Sequence, residues 1–136
     1  MNRKLLLVVS IVTLFAGTAL SAKNFPLTAG QFTPAASGKV DIGKDKNGNI
    51  EVTIKTEHLA KPGMLTPAAT TYVVWFREQG GEPTNQGQYK VENNLKGEFK
   101  TTTRFQNFEV FITAETDPTT KFPSDRVVVK ANVQAN

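Results

Sequence analysis

The chain contains a single imidazole, His58, and no cysteine, which limits its chemistry before any other residue is read. A zinc or copper site draws several ligands from histidine, cysteine and carboxylates. One histidine without thiolates cannot assemble the copper centre of the sandwich-fold electron carriers. His58 stands in Glu57-His58-Leu59 at the expected end of a strand and reads as a solvated loop residue. Serine hydrolysis requires a serine, a histidine and an acid converging in space. Beyond residue 22 only Ser37 and Ser124 are available, and neither lies in a G-x-S-x-G setting. Ser124, held between Pro123 and Asp125, reads as a turn serine.

The carboxylates offer little more. Asp45-Lys46-Asn47-Gly48-Asn49 resembles a calcium loop only at its glycine. Aligned there, Gly43 falls where the first carboxylate belongs and Ile54 where the bidentate glutamate belongs. Glu109, Glu115 and Asp117 lie on or after an apolar strand, but glycoside hydrolysis needs two carboxyls facing each other across a cleft. Glu115 is expected to hydrogen-bond or to pair with Arg126 or Arg77. Tyr72, Trp75, Phe76, Phe108 and Phe111 read as core, with Tyr89 as the expected exposed exception that a carbohydrate-stacking surface would require. No residue is therefore assigned as catalytic, cofactor-binding or metal-ligating, and no cofactor is implied.

The elements that position these residues begin after an export signal, expected over 1–22. Asn2-Arg3-Lys4 is a basic start, Leu5 to Ala16 is almost wholly apolar, and Gly17 to Ala22 supplies small residues for cleavage after Ser21 or Ala22. The run is shorter than a spanning helix needs and is broken by Ser10, Thr13, Gly17 and Thr18. The mature protein is thus expected to be secreted or periplasmic, with no integral membrane span. Arg3 and Lys4 leave with the signal, so the 16 basic residues fall to 14 against 12 acidic ones. Charges of both signs are scattered rather than gathered on one face, which argues against nucleic-acid binding. Without a cysteine for cross-linking, a secreted chain of this length must rely on its hydrophobic core.

Residues 23–37 read as an N-terminal arm and 38–136 as one domain. Within it, 39–42 and 50–54 alternate apolar and polar residues on either side of an Asn-Gly turn, the strongest short-range hairpin signal. Thr71 to Phe76 is apolar on both faces and suits a central strand. Short strands follow at Gln88–Val91, Glu98–Thr103, Phe108–Ala114 and Arg126–Ala131, separated by loops rich in Pro, Gly and Asn. No segment keeps helical periodicity, and no connection is long enough to hide a crossover helix. The pattern predicts an all-β, immunoglobulin-like antiparallel sandwich of about seven strands.

Two blocks carry a resemblance. Ala69 to Phe76 followed by Gly80-Gly81-Glu82-Pro83 and Gly87-Gln88-Tyr89, and Phe108 to Glu115 followed by Phe122-Pro123-Ser124-Asp125, resemble the extracytoplasmic sandwich domain of anti-sigma-K-type factors. The likeness covers about 69–131. It departs from the family at Asp125, where those factors usually have Gly, and lacks their zinc-binding segment and membrane helix. The resemblance implies an exported module for sensing or protein contact. The expected function is therefore non-enzymatic binding to an envelope protein, through the loops 58–69, 77–87 and 116–125 or through an edge strand. The alternative is a carbohydrate- or surface-polymer-binding module.

Overall fold

The computed structural model describes residues 23–135, and the expected signal over 1–22 lies outside them. Nine strands form two antiparallel sheets: β1 (Lys23–Pro26), β2 (Thr28–Ala29), β3 (Ser37–Lys44), β4 (Ile50–Glu57), β5 (Thr71–Glu78), β6 (Thr84–Tyr89), β7 (Gly97–Thr103), β8 (Asn107–Glu115) and β9 (Val127–Gln134). One sheet has the order β1-β3-β4-β7 and the other β2-β9-β8-β5-β6. The seven strands from β3 to β9 divide three and four between the sheets, and the chain changes sheet after β4, β6 and β7. This is the expected all-β sandwich.

The predicted hairpin is β3–β4, in register from Ser37↔Glu57 to Lys44↔Ile50. Its turn forms because Asp45 Oδ1 accepts the amides of Asn47 and Asn49 at 2.8 and 2.9 Å, while Gly48 takes the φ of +79° that the turn requires. β5 lies between β8 and β6, the central position its two apolar faces suggest. Tyr72, Val74 and Phe76 enter the main core with Val40, Ile54, Val110 and Ile112. Val73 and Trp75 form a second cluster with Phe111 on the other face.

The arm assigned to 23–37 is more structured than its composition suggests. β1 pairs with β3, the chain crosses at the buried Leu27, and β2 pairs with β9. One segment therefore closes one flank of the sandwich by adding an edge to each sheet. Gly38 makes the crossing possible, since a Cβ there would lie 2.1 Å from the Lys55 carbonyl oxygen and 3.0 Å from Leu27 Cδ1. Two other expectations are corrected. β6 begins at Thr84, inside the segment read as a loop, and the last strand runs on to Gln134. Polar edge strands such as Thr84–Gln88 show no apolar alternation and so escape a periodicity reading.

Among the described residues no helix is long and apolar enough to cross a membrane. The one helical element among the described residues is a 3-10 turn at Pro62–Met64.

Candidate functional site

The antiparallel registers bring four connections to one end of the sandwich. Residues 30–36 precede β3, 58–70 join β4 to β5, 90–96 join β6 to β7, and 116–126 join β8 to β9. The turns at 45–49, 79–83 and 104–106 lie at the opposite end. Of the three loops expected to carry contacts, those at 58–69 and 116–125 therefore share an end, while 77–87 turns at the other.

Each loop of the first end is tied to the next. In 58–70, buried Leu59 and Leu65 draw the chain onto the core, and the Ala69 amide returns to the Pro62 carbonyl at 2.9 Å. The Leu59 amide donates to Leu95 of the 90–96 loop at 3.1 Å, and the Tyr72 hydroxyl donates to the Ala60 carbonyl at 2.6 Å. Arg126 joins three segments. Its Nη2 donates to the Pro67 carbonyl at 2.6 Å, and its guanidinium lies 5.2 Å from the centroid of Phe32, in cation–π range. Thr33 Oγ1 donates to the Val128 carbonyl at 2.7 Å and holds 30–36 on β9.

Loop 116–126 is held against the outer face of the five-stranded sheet by a buried polar chain. Trp75 Nε1 donates to Thr113 Oγ1 at 2.8 Å, Thr113 Oγ1 donates to Glu115 Oε2, and the same oxygen accepts the Ser124 amide at 2.8 Å. Ser124 Oγ donates to the Ala114 carbonyl at 2.8 Å. Farther along the loop, Asn85 Nδ2 of β6 donates to the carbonyls of Pro118 and Thr120 at 3.0 and 2.9 Å. The register sets Asn85 opposite Trp75, so the loop spans the sheet from β8 to β6 and Trp75 is fully buried beneath it. At the start of the loop, Asp117 Oδ1 accepts the Thr119 amide and hydroxyl, which hold its carboxyl below the ordinary carboxylate value.

Glu115 thus hydrogen-bonds, as one of its expected roles required, but to Thr113 and Ser124 rather than to an arginine. Arg77 pairs with Glu109 and lies 5.4 Å over Phe111, and Arg126 is engaged at Pro67. Tyr89, the expected exposed aromatic, is buried with its hydroxyl 2.6 Å from Thr56 Oγ1 and its ring over Gly97. Only a residue without a Cβ leaves room there, since a Cβ on Gly97 would come within 2.5 Å of the ring. Tyr72, Trp75 and Tyr89 are all buried, so none of the three presents an exposed ring for stacking.

The remaining candidates stay apart. His58 is exposed at the end of β4 with φ of +54°, Ser37 is exposed at the start of β3, and Ser124 is committed to its turn. Asp45 serves the hairpin; its partial desolvation is outweighed by the Asn49 and Asn47 hydrogen bonds, which lower its pKa. Among the described residues no three of His, Cys, Asp and Glu are grouped to hold a metal ion. An open groove of about 790 Å³ beside the 90–96 loop is lined by lysines and glutamates such as Lys96 and Glu57, which pair at 3.7 Å.

Two residues passed over in the sequence distinguish the loop end. Met64 and Phe122 are the large apolar side chains left exposed among the described residues, at 61% and 75%. They sit on 58–70 and 116–126, the loops that Arg126 links. Their signal in the sequence is an apolar residue beside Pro-Gly or before Pro in a polar loop. Comparison with protein-family models, with curated proteins and with solved structures finds no match to this chain.

Proposed function

We propose that this chain is an exported, non-enzymatic β-sandwich module that binds another protein of the cell envelope, with the loop end as its contact surface. The observation that carries the reading is the exposure of Met64 and Phe122 on two mutually tied loops, while the other large apolar side chains among the described residues are sheltered. Exposed apolar residues set among polar ones are typical centres of protein contacts, and loops on a rigid scaffold are where such contacts are usually carried. The resemblance of 69–131 to the extracytoplasmic domain of anti-sigma-K-type factors supports the same reading, with sensing as its purpose.

The test is capture from an envelope extract after mild cross-linking, using residues 23–136 and, in parallel, a Met64→Ser/Phe122→Ser variant. A protein recovered with the first and lost with the second is the expected result. Recovery of no protein above background, or equal recovery with both, refutes the loop-end reading.

A further inference from the structure

The two flanks of the sandwich differ. One is closed by the N-terminal segment, whose β1 and β2 are short and interrupted at Pro26-Leu27. On the other flank the edges are β6 and β7. β6 is broken by a register shift opposite Val74/Trp75, with Gly87 at φ +130°. Bulges of this kind blunt an edge against pairing. β7 has no such device. It pairs with β4 in unbroken register from Thr56↔Gly97 to Ile50↔Thr103, contains no proline, and among the described residues has no strand on its outer side.

We infer that β7 is a self-association edge that pairs antiparallel with β7 of a second copy of this chain. The charges select that occupant. Glu98 and Lys100 lie on the exposed face of the strand, 3.6 Å apart, and Phe99 between them is half-buried on the opposite face near Gly87. A two-fold axis through Phe99 sets each Glu98 against the partner's Lys100 and each Phe99 against the partner's Phe99. An axis through Lys100 sets like charges together, and one through Thr101 leaves Lys100 facing only a threonine. On the neighbouring strand Lys55 is in register with Glu98, so the Phe99 axis places each Glu98 between two lysines. Opposite charges directly across an antiparallel pair stabilise it and like charges oppose it. A symmetric interface of this kind closes at two subunits, joining the four-stranded sheets into one of eight strands. The inference does not depend on the loop-end proposal.

Sedimentation velocity of residues 23–136, from micromolar to millimolar concentration, tests it. The wild-type chain is expected to dimerise, more weakly as salt is raised. Lys100→Glu, on an exposed side chain, is expected to raise the dissociation constant about tenfold or more, and Lys55→Glu/Glu98→Lys/Lys100→Glu, which inverts all three facing charges, to restore dimerisation. Because the chain has no cysteine, Phe99→Cys adds a check of register: it is expected to form a disulfide-linked dimer, and Thr102→Cys, away from the axis, is not. A monomeric wild-type chain, a Lys100→Glu dimer as tight as the wild type, or a charge-swapped chain that stays monomeric would each overturn the inference.

Discussion

The indole N–H of Trp75 donates to Thr113 Oγ1 at 2.8 Å, and the same hydroxyl donates a hydrogen bond to Glu115 Oε2. Neighbouring central strands, β5 and β8, thus share a polar link beside the apolar cluster of Val73, Trp75 and Phe111. Thr113 is the one group that satisfies both neighbours at once. Its replacement by the isosteric Thr113→Val is expected to strip the indole and Glu115 of a partner and to cost about 1–3 kcal/mol of stability. Urea unfolding followed by fluorescence measures this directly, because Trp75 is the sole tryptophan. A midpoint equal to that of the wild type contradicts it.

The far end of loop 116–126 depends on Asn85. Asn85→Ala removes both hydrogen bonds to the loop carbonyls and is expected to destabilise the fold by about 1 kcal/mol. The larger effect is local. Acrylamide quenching of Trp75 is expected to rise well before global unfolding, since a less tethered loop uncovers the indole. Unchanged quenching means that the loop is held without Asn85.

The two tyrosines of the chain give an alkaline signature. Burial, partly offset by Arg126 for Tyr72 and by the Thr56 hydrogen bond for Tyr89, pushes both hydroxyls up to about 12 from the ordinary 10. In the unfolded chain they ionise near 10, so the stability they contribute is fully present below that pH. It is lost as pH rises from 10 towards 12. Native protein is expected to show little tyrosinate absorbance at pH 11, a value between those limits, and guanidinium-unfolded protein most of it. Titration of the folded chain at the ordinary value contradicts the burial.

At the acid side, Asp45 and Asp117 are held below the ordinary 3.8 in the folded chain. Their stabilisation is present above that value and is lost as pH falls through it towards the lower folded value. Asp45→Asn/Asp117→Asn is expected to flatten the fall in thermal midpoint across that window. A slope identical to the wild type's assigns acid unfolding to other carboxylates.

Met64→Ser and Phe122→Ser act on side chains that are mostly in water. Each is expected to change stability by no more than about 0.5 kcal/mol, which separates a binding defect from a folding defect in the capture experiment. A large fall in the thermal midpoint would show that these side chains contribute to the fold rather than to a contact.

Local pattern made much of this molecule legible. Asp45-Lys46-Asn47-Gly48-Asn49 encodes its turn in one carboxylate and one glycine, and Ile50, Val52 and Ile54 declare the buried face of β4 by alternation. The two apolar faces of β5 declare its central position, and the apolar run of β8 declares a strand. Lys23–Pro26 and Thr84–Gln88 were hidden because an edge strand needs partners on one side only and can be polar along its length. Tyr89 was misread because its burial depends on Gly97, eight positions away in sequence and brought beneath the ring by the turn between β6 and β7.

By itself the sequence determined an all-β sandwich with its first hairpin and the central position of β5, because side-chain patterning and turn chemistry act over a few residues. Only the tertiary structure decided that Trp75 lies under loop 116–126, that Met64 and Phe122 share one end, and that β7 is an edge among the described residues. Each of these is a relation between segments distant in sequence, set by the pairing of whole strands and the closure of the core. No local pattern of residues encodes which strand will be left without a neighbour.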